Sequence, residues 1–207
     1  MEKELYIPQM ILIGSAGRNS GKTTLATALI EHFKTEYSVV GLKVTTIKER
    51  DGKCPRGGKG CGVCTSIDGE HDICEEKNIN GNKDTSLLLS AGARKVYWLK
   101  TLKESIYSGF TEVMSSIDNN EIIVCESNSL RNIIKPGIFF MLHNSDNIKQ
   151  SAQEVIDKAD LILRYDIRND INSIINKIKV EQTQNGFAIS IQKEDNFNLE
   201  QRNLYVN

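Results

Sequence analysis

Short apolar runs alternate along this chain with stretches of helical period. Met10-Ile11-Leu12-Ile13 is wholly apolar and predicts a buried strand. Gly14 to Gly21 interrupts it with glycines and polar residues. From Lys22 to Phe33, Leu25, Ala26, Leu29, Ile30 and Phe33 recur on one face, which predicts a helix. Val39 to Thr45 predicts the next strand. Strand–helix–strand makes a βαβ unit and implies a parallel sheet. From Lys48 to about Asn82 the rhythm stops, and glycine, cysteine and charge replace apolar periodicity. A loop that long without structure of its own is uncommon inside a compact domain, so something other than a hydrophobic core is expected to organise it. The rhythm then resumes. Helices are predicted at Thr85 to Ala91, Glu104 to Ile117, Ser151 to Ala159 and Asp170 to Ile178. Strands are predicted at Lys95 to Leu99, Glu121 to Cys125, Gly137 to Leu142 and Asp160 to Arg164, with a late edge strand at Gly186 to Ile191. The predicted fold class is α/β: one three-layer domain over residues 1–207, with a mostly parallel central sheet, flanking helices and a cysteine-rich insertion at 49–82 after the second strand.

Composition narrows the class. A hydrophobic fraction of 39% with 26% charge suits a soluble globular protein and is too apolar for wholesale disorder. Lys+Arg number 26 against 27 Asp+Glu, a net charge of -1, so no nucleic-acid or anionic-lipid partner is expected. No apolar run approaches the length of a membrane span. The start, Met1 to Pro8, is charged and mixed, unlike a signal peptide, so a cytoplasmic location is expected. There, five cysteines are metal-binding, catalytic or buried rather than disulfide-paired.

Gly14-Ser15-Ala16-Gly17-Arg18-Asn19-Ser20-Gly21-Lys22-Thr23-Thr24 fits the phosphate-loop pattern, with Ala16 where a first glycine is usual. Glycines let backbone N–H groups converge on phosphate oxygens, and the helix starting near Lys22 adds unsatisfied donors. Gly17, Arg18, Asn19, Ser20, Gly21, Lys22, Thr23 and Thr24 are therefore the candidate nucleotide-binding residues. Lys22 would reach the β- and γ-phosphates, Thr23 would ligate Mg²⁺, and Thr24 is placed for the α-phosphate. A phosphate loop usually works with a carboxylate at the end of an apolar strand. Glu126, closing Ile122-Ile123-Val124-Cys125, is that candidate Mg²⁺ and catalytic residue. Asp84 is a second catalytic candidate, for positioning Mg²⁺ or water; a plain helix cap is the alternative. Arg18 is the one arginine in the loop that can assist transfer.

Cys54, Cys61, Cys64 and Cys74 have the spacing C-x6-C-x2-C-x9-C. Four thiolates in one segment can close a tetrahedral Zn²⁺ site or hold an iron–sulfur cluster, and metal binding would then order the insertion. Solvated reduced cysteines and a dithiol switch at Cys61 and Cys64 are the alternatives. Lys53, Arg56 and Lys59 surround the ligands, and His71 or Asp72 can replace one of them. Cys125, in an apolar strand, reads as a core residue.

The phosphate loop, Val44-Thr45-Thr46-Ile47-Lys48, Gly81-Asn82-Lys83-Asp84-Thr85, Ala91-Gly92-Ala93 and Glu126 at a strand end together resemble the MobB family, over roughly Met10 to Arg164. These are the small GTP-binding adaptors of molybdopterin guanine dinucleotide biosynthesis, in the SIMIBI class of P-loop NTPases. The resemblance implies a P-loop fold, phosphate and Mg²⁺ contacts from Lys22 and Thr23, and Asp84 and Glu126 near the γ-phosphate. Where that family has a His-rich stretch, Glu49-Arg50-Asp51 here leads into the cysteines. No Asn-Lys-x-Asp guanine signature is found, so GTP and ATP both stay open. The leading expectation is an NTP-dependent adaptor with slow hydrolysis, a protein client in metallo-cofactor assembly or delivery, and a possible homodimer. A small-molecule kinase with Arg50 to Arg56 as lid, and a redox or metal sensor, are the alternatives.

Overall fold

The computed structural model describes residues 4–47, 67, 69–144, 147–164 and 171–192. Its centre is a seven-stranded sheet. The strands are β1 (Leu5–Ser15), β2 (Val39–Ile47), β3 (His71–Glu75), β4 (Lys95–Leu102), β5 (Ile122–Glu126), β6 (Ile134–His143) and β7 (Leu161–Arg164), in the order β3-β4-β2-β5-β1-β6-β7. Every pairing is parallel except β3 with β4. The helices are α1 (Lys22–Phe33), α2 (Asp84–Ser90), α3 (Ile106–Met114), α4 (Gln150–Gln153) and α5 (Ile171–Ile175). β8 (Ile178–Thr183) and β9 (Gly186–Ile191) form a separate antiparallel hairpin.

Strands apolar on both faces need cover on both sides. Ile11, Ile13, Val124 and Val96 pack with Leu25, Ala26, Leu29, Ile30 and Phe33 of α1, Leu88 of α2 and Ile174 of α5. The alternate residues Met10, Leu12, Val40, Leu42 and Cys125 pack with Phe110 and Val113 of α3 and Ala152 of α4. Each fully buried Leu, Ile or Phe contributes roughly 1.5–3 kcal/mol. β9 lies against β1 and β6. Gly137 makes that approach possible, since a Cβ there would meet the Pro8 carbonyl oxygen at 2.3 Å and that of Ile189 at 2.7 Å. No described helix is long and apolar enough to cross a membrane.

Two expectations change. Residues 71–82 are not all irregular insertion: His71–Glu75 is a strand hydrogen-bonded along β4 in the central sheet. Gly186–Ile191 is not an edge strand of that sheet but half of the β8–β9 hairpin. The predicted helix Asp170 to Ile178 accordingly stops at Ile175. Cys54, Cys61 and Cys64 lie outside the described residues.

Candidate functional site

Because β1, β2, β4, β5 and β6 are parallel, their C-terminal ends share one edge of the sheet. After β1 the chain moves to β2, and after β5 to β6 on the far side of β1. The ends of β1 and β5 therefore flank the point where the winding reverses, which is where open α/β sheets form a crevice. The loop from Ala16 to Gly21 occupies this point. Gly21, the N-cap of α1, has φ 84, a left-handed conformation that glycine adopts without strain. Asn19 has φ 52, and asparagine tolerates this region better than most residues. The intrahelical ladder begins at the Leu25 N–H, which donates to the Gly21 carbonyl at 3.0 Å. First-turn N–H groups of a helix precede its ladder and point out of its end.

Several bonds fix the loop. The Ala16 N–H donates to the Leu142 carbonyl at 2.8 Å, and the Lys149 N–H to that of Ala16 at 3.0 Å. The Lys149 ammonium donates to the Gly17 carbonyl at 2.6 Å, and the Asn144 amide to that of Ser20 at 3.4 Å. Asn128 clamps Ser15 from both sides: its Oδ1 accepts the Ser15 N–H at 2.8 Å and its Nδ2 donates to the Ser15 carbonyl at 2.9 Å. The Lys22 ammonium donates to the Ser15 hydroxyl at 2.6 Å. Arg18, Asn19 and Thr24 are exposed, while Gly17 and Ser20 are buried.

Glu126 ends β5 and is 3% exposed. Among the described residues its Oε1 has no hydrogen-bond partner. Burial pushes its carboxyl above the usual carboxylate range, and Asp84 adds to the push; Lys43, Lys22 and the Thr23 hydroxyl pull against it. These groups converge from α1, α2 and β2 on the one carboxylate that β5 carries. Asp84 is not the N-cap of α2: Lys83 holds that place, with no side-chain capping bond, and Asp84 is the first helical residue. Its carboxylate is ion-paired with Lys43.

Register explains the convergence. Glu126 stands opposite Lys43, Lys43 opposite Trp98, and Trp98 opposite Cys74. Paired residues project to the same face of a sheet, so these four form one cross-strand row on the α1 side. The Lys43 ammonium lies 5.9 Å from the Trp98 ring centre, and the Trp98 indole N–H donates to the Thr45 hydroxyl at 3.0 Å. Cys74 is exposed and donates to an Asp72 carboxylate oxygen at 3.3 Å; partial burial and then that bond hold its thiol above its usual value. The two substitute ligands are already engaged. Asp72 pairs with Lys100 at 2.7 Å, and His71 Nε2 sits 2.8 Å from a Glu112 oxygen. No group of three metal-ligating side chains occurs among the described residues. Cys125 is a core residue as expected, on the face opposite Glu126, its thiol pushed well up by burial.

The structure thus brings Lys22, Thr23, Glu126 and Asp84 together, and sequence reasoning missed Lys43, Asn128, Asn144 and Lys149. Only Lys43 carried a signal, as a charge inside an otherwise uncharged strand. A polar cleft of about 400 Å³ at the opposite edge, between Asn119 and Gln182, holds none of these residues. Compared with protein-family models, curated proteins and solved structures, the chain shows no match.

Proposed function

We propose that this chain binds a Mg²⁺–nucleoside triphosphate, GTP or ATP, on the P-loop Gly14–Thr24 and hydrolyses it slowly, as an adaptor for a protein client in metallo-cofactor assembly or delivery. The observation that carries the nucleotide reading is Glu126. A buried carboxylate with an open oxygen, beside the hydroxyl of Thr23 and the ammonium of Lys22, suits a divalent cation. Oxygen donors are the hard ligands Mg²⁺ prefers, so the residues fit the ion. Thr23 and Glu126 would hold it, the latter directly or through water, and Mg²⁺ when bound neutralises phosphate charge. Lys22 balances the β- and γ-phosphates and Thr24 faces the α-phosphate. The exposed Arg18 is free of the core, so it can turn toward the transferring group. Resemblance to the MobB family supports the adaptor role.

Calorimetric titration with GTP and ATP, each with and without Mg²⁺, tests this reading. One nucleotide per chain is expected, bound more tightly with Mg²⁺. Absence of binding by either nucleotide sinks it.

We also propose that Cys54, Cys61, Cys64 and Cys74 hold Zn²⁺ or an iron–sulfur cluster. Ile47 and His71, between which the first three lie in sequence, both sit at the edge of the sheet that carries the loop. Metal and acid-labile sulfide assays on protein purified without oxygen should find one zinc, or iron with sulfide. The pair Cys61→Ser and Cys64→Ser should lose the metal and keep the nucleotide. A metal-free parent protein removes this module.

A further inference from the structure

Lys43 is the only charged residue of β2. Its neighbours across the sheet are Glu126 on β5 and Trp98 on β4, and its ammonium is ion-paired with Asp84. Its side chain is 24% exposed, so it is neither sealed in the core nor a loose surface group. With Lys22 it makes two cations facing two carboxylates, Asp84 and Glu126, and both ammonium groups act on Glu126. A Mg²⁺–triphosphate changes that balance: the cation satisfies carboxylate, and the phosphates bring fresh negative charge. Thr23 and Glu126 would hold the metal, which would neutralise charge on the terminal phosphates. Lys43 is a flexible side chain rooted directly opposite Glu126, on the face where the terminal phosphate would sit.

We propose that Lys43 is a second phosphate-binding lysine, specific for the terminal phosphate. Asp84 holds it while that phosphate is absent, and it passes from Asp84 to the phosphate when Mg²⁺–triphosphate binds. The inference rests on the nucleotide reading above. Lysine suits the role, because its ammonium is a point charge on a four-carbon stem that can exchange partners without moving the backbone. With Asp84 engaged, the Lys43 ammonium also lies 5.9 Å from the Trp98 ring centre, a weak cation–π contact. Asp84 opens α2, so its loss of Lys43 reports the terminal phosphate to that helix and to the segment before it.

The test compares Lys43→Met with the parent protein for binding of the imido triphosphates GMPPNP and AMPPNP, and of GDP and ADP, all with Mg²⁺. One charge-assisted contact is worth roughly 10- to 100-fold in affinity. Triphosphate binding should weaken by about that factor, and diphosphate binding by less than about twofold. Lys43→Arg should recover most of the loss. Lys43→Gln, whose amide can still donate to Asp84, covers the case in which Lys43→Met does not fold. An unchanged ratio of triphosphate to diphosphate affinity overturns the role of Lys43 while leaving the P-loop reading intact. A parent protein that binds neither class overturns both.

Discussion

Lys22→Ala is expected to remove the proposed nucleotide binding and to leave the protein folded. The ammonium of Lys22 sits 2.6 Å from the Ser15 hydroxyl at the mouth of the loop, and its residue is part-exposed at the first turn of α1. Alanine is the best helix former, so the helix itself does not suffer. What goes is a charge that, in the proposed site, would meet two phosphate groups. Hydrogen bonds to charged partners contribute roughly 1.5–3 kcal/mol each, so losing two weakens binding by at least about 100-fold. Leu25, Ala26, Leu29, Ile30 and Phe33 follow Lys22 at i+3, i+4, i+7, i+8 and i+11 on the same face of α1, but Lys22 is part-exposed ahead of them and the substitution leaves these buried side chains unchanged. A titration with Mg²⁺–GTP and Mg²⁺–ATP checks the loss, and a thermal melt without nucleotide checks the fold. Normal affinity in the variant would remove the P-loop assignment.

How far the sequence reveals this arrangement depends on how local the forces are. α1 was legible residue for residue, because its five buried positions follow the helical period and a glycine-rich turn starts it. Glu126 was legible because a lone acid closes a wholly apolar strand. β3 was not. Its residues are His71, Asp72, Ile73, Cys74 and Glu75, only one of them aliphatic, and what makes them a strand is the edge of β4 beside them. Pairing across the sheet leaves no local signature in a segment rich in charge. The β8–β9 hairpin was hidden by a coincidence of period. Ile171, Ile174, Ile175 and Ile178 continue a helical stripe, yet Ile178 is already the first residue of β8. The alternation Ile178, Val180 and the Asn185-Gly186 turn were the competing signals, with Gly186 at φ 111. Lys43 and Asp84 are 41 residues apart, so their ion pair follows only from the order of strands.

Glu126→Gln is expected to stabilise the nucleotide-free protein and to abolish its Mg²⁺-dependent turnover. Leaving a buried polar group unsatisfied costs roughly 1–3 kcal/mol, and more when it is charged. Glutamine removes the charge, keeps the size and can still accept from Thr23. A gain of about 1 kcal/mol would raise the midpoint of melting by roughly 2–4 °C in a chain of this length. The effect has a pH signature. Burial holds the folded-state value of Glu126 above that of the unfolded chain, so between the two the native state keeps a proton that the unfolded state has lost. The contribution of Glu126 to stability is therefore full below the unfolded value, about pH 4, and declines as pH rises through the folded one. The variant should match the parent near pH 4 and exceed it at neutral pH. Melting curves recorded from acid to neutral conditions measure this directly. Saturating Mg²⁺–nucleotide should reverse the ranking, because the parent then gains RT ln(1 + [L]/Kd) from a ligand the variant holds poorly. A glutamine variant less stable than the parent at every pH would mean that the Glu126 carboxylate is already satisfied in the free protein. It would then have no need of a cation.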